Sequence, residues 1–114
     1  MQRRDRIILT KIISEINVSF EILGNISLEN FLKDEKTKRA ISMTVINIGE
    51  LVKGLTPEFR LANNHIVWKD IAGFRDIVAH RYETLRMEEV YNSVKNELPE
   101  IKAQIEKILE SDTE

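Results

Sequence analysis

No cysteine occurs among the 114 residues, so neither a disulfide framework nor thiolate chemistry is available, and the composition suits a reducing cytoplasm. Glycine is scarce and scattered. The four present form no phosphate-cradling loop, and no Gly-x-Ser-x-Gly elbow exists to carry a serine nucleophile. The two histidines, His65 and His80, stand fifteen residues apart with His65 in a polar stretch. That spacing offers no zinc-type ligand set, and neither a metal nor a cofactor is expected. Long apolar runs are missing as well, because Lys11 and Glu15 interrupt the one that follows the N-terminal arginines. A signal peptide or membrane span is therefore not expected, and the chain reads as a cytoplasmic protein. Excess positive charge is also lacking. A formal charge of −2 and a pI near 5.8 argue against a protein that coats nucleic acid non-specifically, a mode that needs many cations on phosphates, but leave room for a local basic pocket.

What is present is helical periodicity. With 42% hydrophobic and 32% charged residues, the chain fits one compact domain over residues 1–114. Ile8, Ile12, Ile16, Phe20 and Leu23 recur at helical spacing from Asp5 onward and meet a stop signal at Gly24-Asn25. Ser27 can cap a short turn carrying Leu28, Phe31 and Leu32. Asp34 or Lys36 then opens a second long helix with Ile41, Thr44, Val45, Ile48, Val52 and Leu55 along its stripe. Gly54 and Pro57 end it, and residues 56–66 read as a connector with at most one helical turn, Asn63-Asn64-His65 being loop. A third helix covers Val67 to about Ala79, and Tyr82 to Leu85 forms a short turn. Met87, Val90, Val94, Leu98, Ile101, Ile105 and Ile108 carry the pattern to the end, with Pro99 suited to the first turn of a final helix. Strand alternation and repeats are absent, so the expectation is an all-α antiparallel bundle of four to five helices.

The segment from Phe74 to Tyr82 holds the residues best equipped for a phosphodiester: Arg75, His80 and Tyr82. On a helix, Val67, Ile71, Phe74 and Val78 form an apolar stripe, and Arg75 falls inside it, about 40° from Ile71. Either its guanidinium snorkels out along its stem, or the stripe faces a second subunit or a groove in which an anion such as phosphate completes its five donors. His80 would point roughly 140° away from Arg75 on an unbroken helix. For both to act on one substrate, the helix must end or distort near Ala79, or a symmetric dimer must bring one subunit's groups beside the other's. Arg81 and Arg86 add local positive charge, partly offset by Asp76 and Glu83. Metal-free RNA cleavage asks only for a proton carrier that works near neutral pH, which histidine is, and a cation for the phosphorane charge, which arginine supplies bidentately. From chemistry alone, such a group in a helical protein is more often a hydrogen-bonded helix end than an active site. Trp68 and Phe74 read as core rather than base-stacking platforms, with no second aromatic to pair with them, and Tyr91 as core or interface.

Arg75-x4-His80-x-Tyr82 resembles the Arg-x4-His-x-Tyr signature of the HepT-like toxins in the HEPN superfamily. The likeness extends to Asn47-Ile48-Gly49-Glu50, to Trp68-Lys69-Asp70-Ile71-Ala72-Gly73 and to Leu98-Pro99, in one order along most of the chain. The resemblance implies a HEPN-like helical homodimer in which the Arg and His motifs of both subunits meet in a cleft and cleave RNA without metal. It also implies a partner, a minimal nucleotidyltransferase antitoxin that transfers AMP onto Tyr82 and so places bulk and negative charge beside Arg75 and His80. Carried over by residue, Arg75 binds the phosphate, His80 is general acid or base, and Tyr82 is the AMP acceptor. Asp76 holds a position where an orienting role is available, and Glu50, opposite its helix's main stripe, either lines the dimer cleft or is solvated. Two rivals stand beside this reading. One is a noncatalytic module that binds a nucleotide or docks the nucleotidyltransferase, and the other a structural dimerisation bundle in which Arg75 pairs with Glu50 or Asp76 across the interface.

Overall fold

Local capping decides most of the turns in the computed structural model, which describes residues 1–112. Helix α1 (Arg3–Leu23) stops where Gly24 adopts a φ of 51°, a value that glycine reaches without a Cβ penalty. Ser27 accepts a hydrogen bond from the Asn30 N–H at 3.1 Å and opens α2 (Leu28–Lys33). Asp34 does the same for α3 (Glu35–Lys53), accepting from the Thr37 N–H at 3.1 Å, and this bond holds its carboxyl below the usual carboxylate range.

Residues 56–66 hold more helix than the single turn expected of them, because Pro57 starts an element as well as following one. Thr56 caps α4 (Pro57–Ala62), its Oγ1 accepting from the Phe59 N–H at 3.2 Å, and proline's fixed φ and missing N–H suit the first turn. A buried acid fixes this corner. Asp5, only 2% exposed, accepts from both the N–H and the hydroxyl of Thr56 at 2.8 Å, tying the start of α1 to the start of α4.

Helix α5 spans Trp68–His80, and the expected short turn after it is one of 3₁₀ helix at Tyr82–Thr84. From there α6 (Met87–Asn92), a π-helical segment (Ser93–Glu97) and α7 (Leu98–Ser111) run on without a break. Although α7 continues the rod, Pro99 falls in the first turn of this final helix as expected. It lacks an N–H and its ring crowds the carbonyl four residues back, that of Lys95, and the wider π turn immediately before it accommodates both defects.

The architecture is an all-α bundle with α3 at its centre, packed on α1 to one side and α5 to the other, while α7 lies along α1. Neighbours run antiparallel: Arg4 Nε donates to the Gly54 carbonyl at 3.0 Å and Asn47 to Glu15 at 3.3 Å, while Arg6 pairs with Asp112 at 3.0 Å. Leu9, Ile12 and Ile16 of α1, Ile41, Ile48 and Val52 of α3, and Val90, Val94 and Ile105 of the last rod fill the core. Burial of each such side chain contributes about 1.5–3 kcal/mol. No helix among the described residues is long and apolar enough to cross a membrane.

Candidate active site

An aromatic anchor seats the helix that carries Arg75. Trp68 is buried, donates its indole N–H to the Asn63 carbonyl at 3.0 Å, and lies 5.8 Å from the Phe59 ring, so the core reading holds but a second aromatic does pair with it. Tyr91 likewise packs on Phe31 at 5.2 Å and donates to the Ile26 carbonyl at 2.6 Å. The stripe expected on α5 is shifted at its start. Val78 is buried and Ile71 and Phe74 are half-buried, but Val67 precedes the first turn and is 52% exposed, so Trp68 takes the core position instead.

Arg75 sits where α3 and α5 come closest. A Cβ at Gly49 would lie 2.1 Å from Arg75 Cβ, so only glycine permits this approach. The crossing brings the end of α3 alongside the arginine. Arg75 Nε is 2.8 Å from Glu50 Oε2, and a terminal guanidinium nitrogen donates to Asp76 Oδ1 at 3.1 Å. The Nε contact is an ion pair and not a hydrogen bond, because the buried N–H has no acceptor in line with it. Lys53 completes the group, its Nζ 2.7 Å from the same Asp76 oxygen and 3.6 Å from Glu50 Oε2. Hydrogen bonds from Lys53 first, and from Arg75 second, hold the Asp76 carboxyl below the usual range. Two cations and two carboxylates therefore neutralise one another.

Glu50 is thus neither simply solvated nor remote from the motif: it is half-exposed and paired with Arg75 inside one chain. The Arg75 side chain, 20% exposed, snorkels to that carboxylate. His80 is the last residue of α5 and is exposed, and the helix neither ends nor distorts before it, so the roughly 140° separation from Arg75 stands within the chain. Among the described residues His80 makes no hydrogen bond or ion pair to another side chain.

Tyr82 turns to the other end of α3. Its hydroxyl donates to Glu35 Oε2 at 3.3 Å, and the Arg39 guanidinium lies 5.3 Å from its ring centroid. Burial first, and the Glu35 charge second, raise the phenol above its ordinary value, so it is protonated at neutral pH. Glu35 and Glu50 are fifteen residues apart on α3, about 22 Å along the axis. One chain therefore brings Arg75, Asp76 and Glu50 together and leaves His80 and Tyr82 outside that cluster. Lys53 and Glu35 are the site neighbours that sequence reasoning passed over. Lys53 could have been flagged as the i+3 partner of Glu50, whereas its bond to Asp76 needs the fold.

With this geometry in hand, comparison with known proteins places the chain by sequence: it belongs to the Ribonuclease HepT-like family, a HEPN-related group whose profile matches residues 12–108. It is 35% identical over 104 residues to the "Putative RNase TTE0752" of Caldanaerobacter subterraneus subsp. tengcongensis, a match covering 91% of this chain and 93% of that one. It is 30% identical over 108 residues to the "Probable ribonuclease HepT" of Thermococcus cleftensis, covering 95% and 98% respectively. A third relative, the "Putative RNase MJ1216" of Methanocaldococcus jannaschii, is 32% identical over 110 residues, covering 96% and 91%. No solved structure matches.

Proposed function

We propose that this chain is a metal-independent endoribonuclease acting as a homodimer, the toxin of a type VII-like toxin–antitoxin pair. The observation that supports it most is the placing of Arg75, whose guanidinium stands at the α3–α5 crossing, partly exposed, held only by carboxylates that an RNA phosphate can replace. In the reaction, the 2'-oxygen of a ribose attacks the adjacent phosphorus, the bond to the 5'-oxygen breaks, and a 2',3'-cyclic phosphate and a 5'-hydroxyl form. His80 takes the proton of the attacking hydroxyl or gives one to the leaving oxygen, and Arg75 offsets the phosphorane charge. Asp76 orients Arg75. Because Arg75 and His80 diverge within a chain, the His80 that serves one Arg75 belongs to the second subunit.

Neutralisation falls to a minimal nucleotidyltransferase antitoxin that transfers AMP from ATP to the Tyr82 hydroxyl, the new O–P bond replacing the bond to the departing pyrophosphate. Glu35, which accepts that hydroxyl's hydrogen bond, is placed to take its proton as the oxygen attacks. The names of the relatives agree with the ribonuclease reading.

One observation favours a second reading. The Glu50–Arg75 contact at 2.8 Å ties α3 to α5, as it would in a noncatalytic module for nucleotide binding or partner docking. Incubation of the purified dimer with cellular RNA in EDTA, beside the Arg75→Ala and His80→Ala variants, separates the two. Fragments ending in 2',3'-cyclic phosphate from the parent alone support the enzyme. A folded parent that yields none, or a His80→Ala variant as active as the parent, refutes the catalytic roles of Arg75 and His80.

A further inference from the structure

Helix α5 is braced chiefly on α3, and its other flank stands across a groove from the α6–π–α7 rod. The groove has a volume of about 650 Å³ and an apolar floor that includes Val45 and Ile48 of α3, Phe74 of α5 and Ile101 of α7. Val67, 52% exposed, stands at its margin. The rim is of one sign: Asp70, Glu89, Glu97 and Glu100 line it, and among the described residues none of these carboxylates has a cation partner. His65 is the sole basic side chain in the lining.

We infer that this groove is a docking surface for a basic amphipathic helix of a partner protein. Its length argues for a helix over a small cation, since the wall from Glu89 to Gln104 covers fifteen residues of helix, about 22 Å, or four turns. Its floor argues for a partner with apolar anchors at i, i+3, i+4 and i+7, the spacing that lays one face of a helix into a groove. Unpaired carboxylates along both walls select lysine or arginine on the flanks of that face and repel acidic helices. The π-helical segment lies midway along this wall, a distortion often met where a helix serves binding.

The test uses a fluorescein-labelled peptide of leucine and lysine, about four turns long, with leucines at that spacing. Binding to the full chain is followed by anisotropy at physiological salt for the parent and two doubly substituted variants. Glu97→Lys/Glu100→Lys reverses exposed rim charges, while Glu106→Lys/Glu110→Lys reverses exposed charges on α7 outside the groove and gives the same net charge. Circular dichroism checks that both stay folded. The expected result is a loss of about tenfold in affinity for the rim variant and far less for the other, with amide shifts confined to residues 67–74 and 97–104 of the parent. Equal weakening in both variants, no binding to the parent, or shifts centred on another face overturns the inference. Self-association of the parent that the rim variant abolishes also overturns it, because the occupant would then be a second copy.

Discussion

A single methyl group at Gly49 tests the close crossing that sets Arg75 in place. In the Gly49→Ala variant the new carbon starts 2.1 Å from Arg75 Cβ, 2.6 Å from its Cγ and 3.4 Å from the Ile71 carbonyl oxygen. Arg75 Cβ is fixed to its helix and cannot swing away, so reaching an ordinary carbon–carbon contact forces α3 and α5 roughly 1.5 Å apart at that point. Overpacking of this kind costs about 1–3 kcal/mol. Replacing glycine inside a helix returns about 1 kcal/mol, which leaves a net loss of up to about 2 kcal/mol. At roughly 4 °C per kcal/mol for a chain of this size, Tm falls by up to about 8 °C, where Gly73→Ala raises it. Gly73→Ala is the matched control: no atom lies within 4 Å of a Cβ there, so only the helix term of about 0.5–1 kcal/mol acts and Tm rises. Thermal unfolding followed by far-UV circular dichroism reads both. If Gly49→Ala gains stability as Gly73→Ala does, the tight crossing and its hold on Arg75 are wrong.

Asp5→Ala removes the buried acceptor of the part-buried Thr56 N–H and hydroxyl and should cost about 1–3 kcal/mol, measured by urea unfolding; an unchanged midpoint refutes the corner tie. The folded-state carboxyls of Asp34, Glu35 and Asp76 are all depressed, so their contribution is complete above the ordinary carboxylate range and is lost as pH falls through the lowered values; Tm should drop on acidification below about pH 4, less steeply in Asp76→Asn. Glu50→Gln removes a carboxylate that competes with phosphate for Arg75, and on the catalytic proposal RNA binding in filter assays tightens by up to about fivefold. Weaker RNA binding together with lower stability favours the α3–α5 tie instead. Tyr82→Phe should keep its RNase activity but gain no AMP mass from the nucleotidyltransferase and ATP, and a mass gain equal to the parent's moves the modified residue elsewhere.

What could be read in the chain depended on how local its cause was. Gly24, Ser27 and Asp34 end or begin helices through their own side chains or φ, and the structure places those boundaries within a residue or two of expectation. Pro57 misled because proline marks a helix start and a helix break alike, and the outcome turns on Thr56 beside it, whereas Pro99 stands in the first turn of the last helix as expected. The fold class and family markers were legible, and so were Glu50 and Asp76 as partners for Arg75, but across a dimer interface, whereas the structure pairs them within one chain. Gly49, Glu50 and Lys53 meet α5 through a helix crossing, and no spacing rule joins positions more than twenty residues apart. That Tyr82 meets Glu35 near the start of α3 while Arg75 meets Glu50 near its end was hidden for the same reason.

The wide turn at Ser93–Glu97 also sets the phase of everything after it. Val90, Val94 and Leu98 are all buried although each step is four residues, which overshoots a 3.6-residue turn twice in succession. The surplus is absorbed in the π segment, and Ile101 and Ile105 of α7 resume the core stripe in register. That segment is therefore the one place where the rod can lose a residue. Deleting one position between Ser93 and Glu97 would remove the surplus, the remaining seven steps making about 700° or two turns of regular α-helix, and Ile101 and Ile105 would still face the core. The cost would fall on Pro99, which loses the wide turn before it, whereas a deletion within α7 would rotate everything after it by about 100°.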